Sequence, residues 1–282
     1  MIVLVGCGGD GDRSATTGAG GTYRAADPGP IHVHGLGVNP ADGALFIASH
    51  SGLFRAGPTE KSSRRVAGIN QDTMGFTVIG PDRFLGSGHP DLRTKQPPFL
   101  GLIESTTAGN SWKPISLYGK ADFHVLESSG RRVVGYGSDF ETRREQLLVS
   151  DDAGKTWSAR RPPMPLIDLA VSPSDRDTWV TAGERGLSRT TDGGRTWRSL
   201  PWDAGLLAWN DQRRLYRADG AGGVSVSRDA GSTWSEVGDL GGEPAAIEAE
   251  RGALYAALHD GVIKMSRDGG RSWEVRSRPQ AG

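Results

Sequence analysis

Short apolar-rich runs separated by turn residues recur along the chain. Val33 to Val38, Leu45 to Ala48 and Leu53 to Arg55 are divided by Asn39-Pro40-Ala41-Asp42-Gly43 and by His50-Ser51-Gly52. Runs this short, bounded by Gly, Pro, Asn and Asp, predict strands joined in hairpins. The order returns later as Ile167 to Val171, Thr178 to Val180, Leu187 to Thr190 and Trp197 to Ser199. Val38-Asn39-Pro40 matches Val171-Ser172-Pro173, and Gly52-Leu53-Phe54-Arg55 matches Gly186-Leu187-Ser188-Arg189. A weak fourth strand is therefore expected near Val66 in the first unit. No stretch approaches the ~18 apolar residues of a spanning helix.

A longer period overlies these runs. Five octets, Ser105 to Trp112, Ser150 to Trp157, Thr190 to Trp197, Ser227 to Trp234 and Ser266 to Trp273, share a Ser/Thr start, a Gly and a closing Ser/Thr-Trp. Their tryptophans stand 45, 40, 37 and 39 residues apart. A repeat near 40 residues built of short strands is the mark of a propeller blade. The remaining blades begin near Phe76, Phe123, Leu206 and Ala245, and a degenerate first blade lacks the octet. The prediction is an all-β fold, a six-bladed β-propeller over residues 31–278 with four antiparallel strands per blade. The repeat count leaves open how the ring closes.

The octets resemble the Asp box, or BNR repeat, which here joins the third and fourth strands of a blade. Four are complete: Asp152 with Trp157, Asp192 with Trp197, Asp229 with Trp234 and Asp268 with Trp273. The first has Thr107 in place of Asp, so its turn should be weaker. A short acid accepts nearby backbone N–H groups, glycine supplies a conformation costly for other residues, and tryptophan fills the space beneath the turn. That local bonding explains the spacing and makes these aspartates structural, not catalytic.

The 42 glycines and 16 prolines among 282 residues fit a fold of many turns. Lys plus Arg and Asp plus Glu balance at 33 each, so no net field steers the chain toward nucleic acid, which is excluded as a partner. The single cysteine allows no internal disulfide. Leu4-Val5-Gly6-Cys7 resembles the lipobox of bacterial lipoproteins, implying acylation at Cys7. Residues 1–30 then read as a truncated signal followed by a Gly/Ser/Thr-rich tether, and 279–282 as a tail. This places the chain outside the cytoplasm, held to the membrane by lipid alone and monomeric.

Blade topology separates two faces. The turns between strands c and d, where the Asp boxes lie, fall opposite the b-to-c turns and the blade-to-blade links. His32 and His34 open strand a of blade one and His124 that of blade three, while His50, His89 and His259 follow strand b of blades one, two and six. All six histidines thus fall on the face away from the Asp boxes. Acids share those connections, among them Asp72, Asp91, Asp122 and Asp139. Three readings stand side by side. A divalent metal held by the histidines is one, with the alternate spacing of His32 and His34 turning both rings to one side of a strand. A polar ligand such as a glycan, bound or cleaved with Asp91, Asp122 or Asp139 as acid or base, is the second. Histidines that satisfy backbone groups around a wet channel are the third.

His32-Val33-His34-Gly35-Leu36, Met74-Gly75-Phe76-Thr77, Ser87-Gly88-His89-Pro90-Asp91, Ser116-Leu117-Tyr118-Gly119 and Asp122-Phe123-His124 resemble segments of a bacterial group within the sialidase-like Asp-box superfamily, described as glycosyl hydrolase-like. The resemblance implies a secreted or lipid-anchored propeller acting on, or binding, a glycan. Sialidases use a tyrosine nucleophile with an acidic partner and three arginines. Their Phe/Tyr-Arg-Ile-Pro motif is absent; Phe54-Arg55-Ala56-Gly57-Pro58 is the nearest text and lies on strand c. Tyr136 and Tyr216 end b strands and are the tyrosines expected near the mouth. Other Asp-box propellers bind proteins, so a protein-binding scaffold is a further alternative, and xyloglucan-cleaving relatives use a cleft between two propellers.

Overall fold

The computed structural model describes residues 27, 29–210 and 213–279; the Cys7 lipobox, most of the tether and the last three residues lie outside them. Twenty-four strands form six four-stranded antiparallel sheets, each from one continuous segment: 33–65, 72–116, 121–160, 166–199, 206–239 and 244–277. Within each sheet the strands run a, b, c, d from the axis outward, and the six a strands neighbour one another around the ring. The architecture is the expected six-bladed propeller.

Apolar residues of facing blades form the core. One cluster joins Val134, Tyr136, Leu147 and Val149 of blade three to Leu169, Val171 and Trp179 of blade four, with Trp197 beside them. Each octet tryptophan is packed at such a seam. In the Asp192 box, Oδ1 accepts the Arg195 and Thr196 backbone N–H groups at 3.0 and 2.9 Å, and Oδ2 accepts the Thr196 hydroxyl at 2.6 Å. Thr190 Oγ1 in turn accepts the Gly194 N–H at 3.0 Å. These bonds hold the Asp152, Asp192 and Asp268 carboxyls well below the usual carboxylate range. In the first octet the Thr107 hydroxyl accepts one backbone N–H, that of Ser111, at 3.0 Å.

Among the described residues no strand is shared between the first and last blades, each having four of its own. The seam is closed by packing of Val33, Leu36 and Val38 against Ala246, Ala257 and Ile263. Buried Arg276 adds a latch: its guanidinium donates to the carbonyls of Glu60 and Gly57 at 2.7 Å and of Ala56 at 3.3 Å. Ser62 and Arg278 form a parallel bridge alongside. Pro30 and Pro279, at the two ends of the ring, both lie against Gly261.

Candidate functional site

Five of the six a strands carry a β-bulge at the same place. The register slips at His34, Met74, His124, Ile167 and Ala245, each between a residue paired to the end of strand b and the next paired residue. A bulge bends its strand and re-aims one side chain, and all five of these residues line one cavity of about 480 Å³ at the axis. Glycines accommodate the bend. A Cβ on Gly88 or Gly137 would stand 2.0 or 1.9 Å from the carbonyl oxygen of Asp72 or Asp122, and one on Gly183 2.3 Å from that of Pro165.

Two histidine–carboxylate groups flank this mouth. Asp72 Oδ2 lies 2.8 Å from His50 Nδ1, and its Oδ1 lies 3.5 Å from His34 Nε2. The donor atoms of these three residues all fall within 4.8 Å of one another, and among the described residues they are the one such group of three. His34 Nε2 and Asp72 Oδ1 are buried without a hydrogen-bond partner. One blade on, Asp122 Oδ2 lies 3.0 Å from His124 Nε2 and 3.3 Å from His89 Nε2. The Asp122 side chain is 3% exposed. Its hydrogen bond raises the proton affinity of His124 above the ordinary histidine value, and the charges of Glu145 and Asp72 add to this. His89 Nδ1 meets the Pro98 carbonyl at 2.8 Å, which fixes its proton there and turns Nε2 toward Asp122.

The other expected residues are placed differently. His32 precedes its strand with φ of 49° and His34 is the bulged residue, so their rings are not carried to one side by strand alternation. His32 instead meets the His50 ring edge-on, with centroids 6.3 Å apart. His259 lines the cavity, 3.9 Å from Glu243. Asp91 is buried under Arg93, whose Nε lies 2.9 and 3.1 Å from its two oxygens, and it also accepts the Asn70 and Arg93 N–H groups. Arg93 holds that carboxyl far below the usual range, which leaves it no proton to give. Asp139 caps an exposed turn by accepting the Thr142 N–H and hydroxyl, each at 2.7 Å. Of the three candidate acids, Asp122 alone joins the histidines. Tyr216 lines a cavity with Asp268 and Gly269 on the Asp-box side, away from the mouth.

Four acids not singled out by sequence also line the cavity: Glu127, Glu145, Asp168 and Glu248. Burial in the channel pushes the Asp168 carboxyl up to about 7 and that of Glu248 to about 8, and it raises Glu127 as well. Asp168 bridges two blades, accepting the Leu169 N–H at 2.8 Å and the Leu207 N–H at 2.7 Å. Glu145 accepts the hydroxyl of Tyr136, which is 2% exposed. The signal for Glu127, Asp168 and Glu248 is a charged residue on the axis-facing side of an inner strand, where an outer strand would carry it to solvent; Glu145 opens a third strand.

Residues 148–159, spanning the Asp152 turn, match the BNR/Asp-box repeat model. No curated protein matches the sequence. Among solved structures, the fold is similar to a GH74 xyloglucanase from Xanthomonas campestris, with a TM-score of 0.57 and 16% identity over 89% of this chain and 46% of that one. It is also similar to an ancestral GH74 enzyme, with a TM-score of 0.54 and 15% identity over 88% of this chain and 39% of that one. The chain thus spans less than half the length of either. Repeat match and fold agree that the chain is a six-bladed β-propeller of the BNR/Asp-box type.

Proposed function

We propose that this propeller binds a hydroxyl-rich polar ligand of the glycan class in the axial mouth, on the face opposite the Asp boxes. The observation that carries the reading is the repeated bulge, which turns His34, Met74, His124, Ile167 and Ala245 into a single cavity edged by carboxylates and imidazoles. Such a lining offers charged acceptors and ring donors for sugar hydroxyls, with Met74 and Ile167 as apolar floor for a sugar face. The solved structures of similar fold include GH74 enzymes, one of them a xyloglucanase, which makes xyloglucan oligosaccharides a suitable probe. Surface attachment through Cys7 belongs to the same proposal and rests on the lipobox alone; metabolic palmitate labelling of the full chain, lost in Cys7→Ser, tests it.

Binding is measured by glycan array and then by calorimetry, with sialyllactose and xyloglucan oligosaccharides as first probes. Saturable binding is expected, and Ala245→Trp, which fills the mouth while leaving both histidine groups intact, is expected to abolish it. His124→Ala, which takes a ring donor from the cavity wall, should weaken it roughly tenfold to a hundredfold, as expected for a charge-assisted hydrogen bond of about 1.5–3 kcal/mol. Binding that survives Ala245→Trp places the ligand elsewhere and overturns the reading.

A glycosidase reading has one specific observation in its favour, the Tyr136 hydroxyl bonded to Glu145 at the cavity wall. It matches the tyrosine-plus-acid pair that the sialidase resemblance implies. Release of a fluorogenic aglycone from a sialoside, lost in Tyr136→Phe, is its test; no release from sialosides or glucosides removes it.

A further inference from the structure

We propose that His34, His50 and Asp72 form a binding site for one divalent transition-metal ion of the zinc class. The inference goes beyond glycan binding and stands whether or not a glycan occupies the mouth. Two imidazoles and a carboxylate are a donor set suited to such an ion, with a fourth position left for water or a ligand group.

The three residues reach the site from separate elements. His34 is the bulged residue of strand a in blade one, His50 follows strand b of the same blade, and Asp72 opens strand a of blade two. Their contacts of 2.8 and 3.5 Å, made to the two Asp72 oxygens, bracket the ~3.3 Å spacing of atoms bound at ~2.0 Å to one tetrahedral ion, and one ligand atom from each residue falls within 4.8 Å of the others. The His50 side chain is 65% exposed and free to adjust. The short His50–Asp72 contact leaves His34 Nε2 and Asp72 Oδ1 at 3.5 Å from each other, both buried and neither hydrogen-bonded. Buried polar atoms are rarely left so. A single cation between them would satisfy both atoms. Of the three residues, His34 alone lines the mouth cavity.

The test uses the full chain, stripped of metal by chelator dialysis, with Zn²⁺ as titrant in competition with a chromophoric chelator. Co²⁺ replaces it as a spectroscopic probe. One equivalent of Zn²⁺ and the visible absorption of tetrahedral Co²⁺ are expected. Both should vanish in Asp72→Asn and in His34→Ala, and both should persist in His124→Ala, which alters the neighbouring group. His50→Gln, a change at an exposed position that leaves folding intact, should lose the stoichiometric ion and so separates ligation from misfolding. Sub-stoichiometric binding by the unaltered chain, or one equivalent retained in His50→Gln and Asp72→Asn, overturns the proposal. Because no sugar enters these measurements, a failed glycan array leaves their result untouched.

Discussion

Asp72 and Asp122 occupy the same place in successive blades, two residues ahead of the bulge, and each meets the histidine that follows strand b of the blade before it. The two groups differ in what sits at the bulge. Facing Asp72, the preceding blade presents His34; facing Asp122, it presents Met74. Asp122 therefore takes its second imidazole from its own strand, as His124. The first arrangement brings three side chains within reach of one ion, whereas the second gathers two imidazoles on one carboxylate oxygen. One residue at one bulge thus separates the proposed cation site from a carboxylate shared by two rings.

Moving that residue gives the largest expected effect. Met74→His restores in blade two what His34 supplies in blade one, and Zn²⁺ titration should then rise from one equivalent to two. A stoichiometry that stays at one would show that the bulge position does not decide the difference.

Asp122→Asn comes next. Removing the charge of a nearly buried carboxylate that serves two rings should lower stability by about 1–3 kcal/mol in urea unfolding. The same exchange at Asp72, which has fewer hydrogen bonds to lose, should cost less. NMR titration should show the His124 value falling back toward about 6.5 in Asp122→Asn. Because folding raises the His124 value, its contribution is complete below the unfolded value and fades as pH rises through the folded one.

The channel acids act in the same direction. Folded Asp168 and Glu248 keep their protons up to about 7 and about 8, while the unfolded chain has released them above roughly pH 4. Over that window the folded state binds more protons, so stability falls as pH rises. The Asp-box carboxyls, held low, give stability that is lost as pH drops below about 4. Thermal melts should therefore peak near pH 4 to 5 and decline from there toward about pH 8, and that decline should flatten in Asp168→Asn. The smallest effect is expected at Asp139→Ala, under about 1 kcal/mol with glycan binding unchanged, since that carboxylate caps an exposed turn.

The blades are legible because the Asp-box turn is local. Asp, Gly and Trp bond and pack within eight residues, so spacing alone reports the fold. The mouth is less legible because its parts come from different blades and its strands are irregular. Blade two reads from Phe76, yet its first strand starts at Asp72. The bulge at Met74 interrupts the alternation that would have extended it, and Asp72 lies in the part so hidden. The same irregularity defeats the His32 and His34 spacing. Asp91 is a candidate acid by its place on the mouth face, but Arg93, two residues on, takes it. Glu127, Asp168 and Glu248 were missed because a charged residue within a strand reads as solvent-facing, and only the closed ring makes that side an interior.

The closed ring has one more consequence. Six whole blades meet at six seams of side-chain packing, and the first and last segments approach each other at Gly261. The order in which the blades are strung is then separable from the object they build. A circular permutant that links residues 30 and 279 with a short spacer and opens between blades three and four, near residues 162–164, is expected to assemble the same mouth. The Arg276 contacts would then fall within the middle of the chain instead of bridging its extremes.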